Sequence, residues 1–410
     1  MRWALLWIGL TIVILSWLKL RAPPDLLTEG PQPAWDNQQT ESDQQAWNNL
    51  NDIQNGTLGV QKVFVINFPD RTDKRDNIIL ASSLSGFVVD SVDGVSPEGI
   101  NPKTYPYNWN YDHSSIDYAR RRAHLNVMQQ IVQQRLQSAI VMVDDADWDV
   151  SIKTQLQSFA VAIRSLQGTH HNSTFSPYGD DWDILWLGHC GVTCKTNQPY
   201  FVTPHDPTIP MPRHFLPYWR DPPDFEGFER PDHARLTCTA NDAACIRFYA
   251  VSYRGAQRIL SALSVSPGGL AEQIDIGAEL DVSLGRMCGH GYLQCFAPYP
   301  SMTGGYKPAE YSKQPLDTED DVALEFFEHA RSWGVMYSIM LNINNILNGN
   351  QFVHATWDDV DVPDAIPEEI YLKRGMMNSP GPHKEPIPYA IKQWRKHVHI
   401  SLDEPYLEGE

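Results

Sequence analysis

The sequence predicts an α/β fold in which helices pack on both faces of a mostly parallel sheet. Short β-rich runs alternate with amphipathic helical segments, an order typical of parallel sheets with helical connections. In addition, the apolar run Ala139–Val143 leads directly into four aspartates. Ligands of such sheets bind beyond the carboxyl ends of the strands, so this cluster marks the expected functional edge.

The folded region is predicted to begin near residue 61 with a strand–helix–strand unit. Val63–Ile66 is a β-rich run, and the polar turn Asn67–Asp70 follows it. Apolar residues at helical spacing follow between Ile78 and Leu84, and Gly86 ends that pattern. Phe87–Val89 is the second predicted strand.

A second series of elements surrounds the aspartates. Tyr118–Gln137 has its apolar residues on one side, which predicts an amphipathic helix that leads into strand Ala139–Val143. Ile152–Ile163 repeats apolar residues at helical spacing, and Asp183–Gly188 predicts another strand. The chain after that is less regular.

Four further helices and one long loop are predicted in this later part. Ser252–Leu263 follows a serine cap, and Tyr200–Asp232 is rich in proline and aromatic residues and predicts a loop. The other predicted helices are Glu272–Met287, Asp320–Ala330 and Tyr337–Leu347.

The N-terminus predicts a membrane segment. Trp3–Leu18 is apolar except at three positions, and basic residues and a Pro-Pro pair follow it. We expect an uncleaved signal anchor over residues 1–21, with a cleaved signal peptide as the alternative. A flexible stem over 22–60, a catalytic domain over 61–350 and a C-terminal extension over 351–410 complete the expected organisation.

The cysteine content of the sequence indicates the redox environment of the protein. Six cysteines lie in the middle of the chain, and an even set suggests disulfides in an oxidising compartment, although fifteen pairings are open. Buried free thiols are the alternative, and the spacings fit zinc poorly. Asn55 and Asn172 begin glycosylation sequons.

The formal charge of −18 argues against a nucleic-acid partner, which would need a basic face.

The aspartates predict a site for a hard cation. Asp145 and Asp147 form a D-x-D pair, and Asp144 precedes them. Carboxylate oxygens suit Mg²⁺ or Mn²⁺, which keep positions open for phosphate oxygens when one or two carboxylates bind them. A solvated acidic loop that caps the next helix is the competing interpretation. The same pattern recurs at residues 181–183 and 359–361, so it is weak in isolation.

Several segments together resemble glycosyltransferase family 25, especially its fungal members. This family includes lipopolysaccharide galactosyltransferases and collagen galactosyltransferases. The matching segments run in the family's order: VFVINFPDR at residue 63 with Arg75, VDGV at 92, AHLNV at 123, IVMVDDADWD at 140, DILWLGHCG at 183, FYAVSYRGA at 248 and ELDVSL at 279. They cover roughly residues 62–284, and their ordered occurrence is more specific than any one motif.

The resemblance implies a GT-A-like fold, a UDP-sugar donor, a divalent metal (Mn²⁺ or Mg²⁺) and inversion at the sugar carbon. It implies transfer of a hexose to a hydroxyl of a glycan or protein acceptor. Galactose is the hexose that the family members suggest. Asp145 and Asp147 are the expected metal ligands, with Asp144 beside them at the donor. Together with the anchor, the resemblance implies a single-pass type II membrane protein of the Golgi or secretory pathway with a lumenal catalytic domain.

Other residues receive expected roles in donor binding and catalysis. Arg71 and Arg75 suit phosphate recognition, and Asp93 could bind the ribose or base. An inverting transfer needs a general base, for which Asp281 is the first choice and Asp183 and Glu279 are alternates.

One histidine and three tryptophans could belong either to the hydrophobic core or to the functional site. His124 is expected to pack, although it could orient the acidic loop. Three tryptophans near the motifs could stack on a sugar, but core packing is the commoner fate of such residues: Trp148, Trp182 and Trp186.

One departure from the family bears on activity. The family has Glu before the two aspartates, where this chain has Val143. An inactive family member, or a lumenal carbohydrate- or calcium-binding module, is therefore the competing function. A metal-dependent hydrolase is disfavoured because the histidines are scattered rather than clustered.

Overall fold

A ten-stranded mixed sheet forms the centre of the molecule. The computed structural model describes residues 49–106, 109, 113–169, 174–216, 222–265, 270, 274–309, 329–370 and 372–379. The strands of this sheet are β1 (Lys62–Asn67), β2 (Asp90–Asp93), β3 (Ser138–Val143), β5 (Ile184–Gly188), β6 (Gly191–Cys194), β7 (Tyr200–Thr203), β8 (Arg235–Ala244), β9 (Phe248–Ser252), β10 (Cys295–Tyr299) and β15 (Met376–Asn378). Their order is β15-β7-β8-β10-β5-β9-β3-β1-β2, and β6 pairs with β8.

The central strands run mostly in one direction. β1 pairs in parallel with both β2 and β3, and β10 pairs in parallel with β5. β3 and β5 are both antiparallel to β9, so they run the same way as each other. The predicted α/β class with a mostly parallel sheet is confirmed for this central part, where β9 alone is reversed among the six strands from β2 to β10.

Helices cover both faces of the sheet. Successive side chains of β3 alternate between two cores, as a buried strand requires: Ala139 and Val141 in one, Ile140 and Met142 in the other. The first core also contains residues of α2 (Ser115–Gln134), α4 (Tyr253–Leu260) and α5 (Leu280–Gly289). The second contains residues of α1 (Thr72–Leu84), α3 (Ile152–Leu166) and α6 (Ile339–Leu347).

Short strands outside the main sheet attach the acidic segment to later parts of the chain. β4 (Ala146–Trp148) pairs antiparallel with β11 (Thr303–Lys307), which pairs with β12 (Arg331–Trp333). β13 (Val353–His354) and β14 (Asp364–Ala365) form a separate pair. The acidic segment is thus a turn followed by a short strand.

Most predicted elements are present, with shifted ends. α4 begins after Ser252, whose Oγ accepts a hydrogen bond from the Gly255 N–H at 3.0 Å, as expected for a cap. The second strand lies at Asp90–Asp93, three residues beyond the predicted position. The predicted helix Glu272–Met287 begins only at Leu280. The predicted helix Asp320–Ala330 lies almost wholly outside the described residues.

Residues on both sides of the range 61–350 pack with the elements inside it. Leu50, Ile53 and Leu58 belong to the second core although they fall within the predicted stem. β15, inside the predicted C-terminal extension, pairs antiparallel with β7. Long-range packing of this kind leaves no local signal in a sequence. The predicted anchor over residues 1–21 lies outside the described residues, among which no helix is long and apolar enough to span a membrane.

All six cysteines form disulfides. The pairs are Cys190–Cys245, Cys194–Cys238 and Cys288–Cys295. This pairing confirms the expectation of disulfides and suggests an oxidising secretory or extracellular environment. Of the two sequons, Asn55 lies on an exposed turn, whereas Asn172 lies outside the described residues.

Candidate functional site

The carboxyl ends of three parallel strands meet at one edge of the sheet. Asn67 at the end of β1 lies opposite Asp93 at the end of β2, and Ile66 lies opposite Val143 at the end of β3. Asp144 follows β3 directly. The first strands of the sheet therefore bring Asp93, Asn67 and Asp144 to one edge, where the sequence predicts the donor site.

Asp144 is held by a polar network. Its Oδ2 accepts a hydrogen bond from Asn67 Nδ2 at 2.9 Å, and its Oδ1 lies 3.3 Å from Lys74 Nζ. Arg75 Nε donates to Asn67 Oδ1 at 3.2 Å, so Arg75 supports Asp144 through Asn67. Burial raises the pKa of Asp144, and Lys74 opposes that rise. The amide and two cations fix where this carboxylate points.

Asp145 is the more open carboxylate of the pair. Its side chain is 25% exposed, and Oδ1 lies 3.6 Å from Arg247 Nε. Its backbone carbonyl accepts a hydrogen bond from the Tyr306 N–H at 2.9 Å. Arg247 also lies over the ring of Trp333, with 5.3 Å from Cζ to the ring centroid. A cation therefore stands beside each of the two adjacent carboxylates.

Asp147, the second predicted metal ligand, is turned into the protein. It is fully buried and accepts hydrogen bonds from Ser332 Oγ and Ser338 Oγ, both at 2.5 Å, and from the Trp148 N–H at 2.8 Å. The Met340 N–H lies 3.4 Å away. Burial raises the pKa of Asp147 to about 6, against the effect of the serines. The structure does not place this carboxylate in the open site with Asp145.

Asp281 lies at the same edge as the acidic pair. Its Oδ2 accepts a hydrogen bond from the Cys245 N–H at 2.7 Å, and Cys245 is bonded to Cys190, which lies two residues after β5. Its Oδ1 accepts from the Val282 N–H at 2.8 Å. Each carboxylate oxygen has two acceptor positions, so one backbone bond on each leaves capacity for another partner.

Asp183, the alternate base, lies away from the acidic pair. It precedes β5 whereas Asp144 follows β3, and these strands run in the same direction, so the two residues lie at opposite ends of the sheet. Asp183 is fully buried and accepts from Arg254 Nε at 2.8 Å and Arg258 Nη1 at 2.6 Å. Its role is an ion-pair network that joins β5 to α4.

The other residues that were predicted to contact the nucleotide lie at the same edge of the sheet. Two of them, Arg71 and Arg75, already bind other groups of the protein. Arg71 pairs with Asp73 through Nε–Oδ1 and Nη2–Oδ2 distances of 3.0 and 2.8 Å. Arg75 Nη2 donates to the Pro69 carbonyl at 3.3 Å in addition to its bond with Asn67. Asp93 is exposed at the end of β2. The edge is therefore rich in basic side chains beside the carboxylates of Asp93, Asp144 and Asp145.

The other candidates are structural or peripheral. His124 is buried with Nδ1 3.1 Å from the Tyr249 hydroxyl, and burial lowers its pKa to about 3, so it packs as a neutral ring. Glu279 pairs with His113 at 3.6 Å beside α5. The three tryptophans are core residues and do not face an open sugar site: Trp148, Trp182 and Trp186.

The residues at this edge fit a hard divalent cation. Asp145 is accessible and Asp144 is adjacent, and Mg²⁺ or Mn²⁺ needs only one or two carboxylates when phosphate oxygens complete its shell. Lys74 and Arg247 add positive charge that suits a diphosphate. Sequence reasoning missed Arg247 and Trp333; the arginine could have been found from its position directly before the apolar run Phe248–Ser252.

Comparison with known proteins gives a distant relationship. No family model matches the chain. Procollagen galactosyltransferase 1 of Danio rerio is 25% identical over 147 residues, which are 33% of this chain and 22% of the relative. The match thus spans less than a quarter of that relative's length. It supports a glycosyltransferase-like family and no narrower assignment.

Proposed function

We propose that the chain is a metal-dependent, inverting glycosyltransferase that moves a hexose from a UDP-sugar to a hydroxyl of a glycan or protein. One observation carries this proposal: the accessible Asp145 and the adjacent Asp144 lie at the carboxyl ends of parallel strands, each beside a cation. Galactose is the proposed sugar, in keeping with the relative's name and the family resemblance.

Each group at the edge has a role in this proposal. Asp145, with Asp144, would hold Mn²⁺ or Mg²⁺, which neutralises the negative charge that develops on the leaving diphosphate. Lys74 orients Asp144 and adds positive charge on the side of α1. Arg71, Arg75 and Asp93 line the neighbouring strand ends, where the nucleotide would lie. The domain would have the GT-A-like arrangement that the resemblance implies.

Asp281 is the proposed general base. An inverting transfer needs a base on the side of the sugar opposite the leaving group. Asp281 lies at the same sheet edge as the carboxylates but is attached through Cys245, on the β5 side of β9. From this position it would accept the proton of the acceptor hydroxyl while the backbone N–H groups hold its orientation.

The proposed location is the Golgi or secretory membrane. Three disulfides support an oxidising compartment. The proposed type II topology, with residues 1–21 as the anchor and the catalytic domain in the lumen, rests on the N-terminal sequence.

A binding module or inactive family member is the second candidate. One observation favours it: Val143 stands where the family has Glu. Such a protein would bind a nucleotide-sugar or glycan and leave it intact, so turnover separates the two candidates.

The test is nucleoside diphosphate release by the purified full-length protein. The protein would be incubated in detergent with Mn²⁺ and a panel of nucleotide-sugars, with and without simple glycan acceptors. We expect release from a UDP-hexose that EDTA and Asp145→Asn abolish. The matched control Asp361→Asn changes an exposed aspartate of another D-x-D pair and should keep activity. An intact donor throughout would reject the enzyme.

A further inference from the structure

We propose that Arg247 binds the diphosphate of the donor and is a catalytic residue of this site. This inference rests on the proposed function and assigns a ligand to a residue outside the motifs that the sequence singled out. It is carried by the position of Arg247, by its contacts and by the rigidity of its surroundings.

The backbone of Arg247 is fixed between two strand ends. Its N–H donates to the Gly188 carbonyl at 3.2 Å, and its carbonyl accepts from the Val143 N–H at 3.0 Å. Gly188 is the last residue of β5 and Val143 the last residue of β3. The reversed strand β9 thus begins where its neighbours end, and it delivers a basic side chain to the edge that binds ligands in such sheets.

The guanidinium lies close to both Asp145 and Trp333. Its Nε is 3.6 Å from Asp145 Oδ1, longer than a hydrogen bond, so this contact is mainly electrostatic. Its Cζ lies 5.3 Å from the Trp333 ring centroid, a cation–π distance. The planar guanidinium can donate two parallel N–H groups, which suits two oxygens of a phosphate.

Covalent and strand links make this arrangement rigid. The Cys190–Cys245 disulfide lies two residues before Arg247. Trp333 lies opposite Gly305 in the β11–β12 pair, and β11 also pairs with β4, directly after Asp145. Carboxylate, guanidinium and indole are therefore positioned by the same set of strands, so a diphosphate beside Asp145 would meet the guanidinium without rearrangement of the backbone.

The experiment measures binding rather than turnover. UDP and uridine would be titrated into the full-length protein by calorimetry, in EDTA and in Mn²⁺, for wild type, Arg247→Gln and Arg247→Lys. We expect Arg247→Gln to weaken UDP binding about 10- to 100-fold, because a charge-assisted contact to phosphate is lost. Uridine has no phosphate, so its binding should not change. Arg247→Lys should recover part of the loss.

Controls separate this role from structural damage. Arg213→Gln removes another arginine, whose side chain pairs with Asp359 on the surface, and should bind UDP as wild type does. An Arg247→Gln protein with an unchanged melting temperature excludes misfolding as the cause. In the Asp145→Asn background, Arg247→Gln should still weaken UDP binding in EDTA, since its proposed contact is to phosphate and not only to Asp145.

The outcomes discriminate between the two proposals. UDP binding by Arg247→Gln within about two-fold of wild type would overturn the role of Arg247 and leave the proposed function standing. Equal losses for UDP and uridine would also overturn it, because the effect would then concern the whole pocket. If the wild-type protein binds no UDP in either condition, both the inference and the UDP-dependent function fall.

Discussion

Replacing Asp147 by alanine is expected to destabilise the fold rather than to remove a metal ligand. The carboxylate is fully buried and accepts hydrogen bonds from two serine hydroxyls and the Trp148 N–H, with the Met340 N–H 3.4 Å away. These donors come from β4 itself and from residues 332–340, so Asp147 fastens the strand after the acidic pair to a distant part of the chain.

The expected loss of stability follows from the donors left behind. The serine hydroxyls can rotate towards other acceptors, but the two backbone N–H groups cannot. A buried donor without a partner costs about 1–3 kcal/mol, so Asp147→Ala should lower the free energy of unfolding by about 3–5 kcal/mol. Asp147→Asn keeps an acceptor oxygen and the shape of the side chain, and should cost less.

The assay is urea unfolding at pH 7, followed by tryptophan fluorescence with the disulfides intact. Asp361→Ala, an exposed aspartate, serves as the control and should change stability by less than about 0.5 kcal/mol. A loss of less than about 1 kcal/mol in the stability of Asp147→Ala, together with a loss of Mn²⁺ binding, would contradict this prediction. That result would show an accessible metal ligand instead of a buried anchor.

Three further predictions concern pH, catalysis and topology. Burial raises the pKa of Asp149 to about 6, so this carboxyl holds its proton in the folded chain between about pH 4 and 6, where it loses the proton in the unfolded chain. The contribution of Asp149 to stability should therefore fall as pH rises through that window, and Asp149→Asn should show a smaller decrease. Asp281→Asn should lower kcat about 100-fold or more in a transfer assay while the Kd for UDP stays constant. A loss of UDP affinity as large as the loss of kcat would contradict its role as the general base. Asn55→Gln should remove one glycan in a deglycosylation gel shift of the protein from secretory cells, and an unshifted wild-type band would count against a lumenal domain.

The parts of the fold that local pattern determines could be predicted. The apolar run of β3 ends in aspartates, and its strand neighbours β1 and β2 follow from a simple strand–helix–strand pattern. The Ser252 cap of α4 could also be predicted, because a serine before an amphipathic run can accept a hydrogen bond from a backbone N–H of the first helical turn. Such features depend on residues that are close in sequence.

The rest depends on contacts that no local pattern encodes. The D-x-D pattern and the family resemblance led us to expect that Asp145 and Asp147 bind one metal ion together. Asp145 instead lies in the turn before β4, and Asp147 turns towards Ser332 and Ser338, which lie 185 and 191 residues later in the chain. The direction of β9 was likewise hidden, since a short apolar run fits either orientation.

The ion pairs of Asp183 did have a signal in the sequence. Arg254 and Arg258 are four residues apart and therefore share a face of a helix. Their common partner is Asp183, which is buried between them and β5. The spacing therefore places both arginines where one carboxylate can pair with them.

The most direct measurement of the central claim is UDP binding with and without Mn²⁺. Calorimetry would compare wild type, Asp145→Asn and the control Asp361→Asn as full-length proteins. We predict that Mn²⁺ tightens UDP binding at least about ten-fold in wild type and in the control, but not in Asp145→Asn. UDP affinity that is the same with and without Mn²⁺, or Mn²⁺ dependence that survives in Asp145→Asn, would contradict a metal-bound diphosphate at the end of β3.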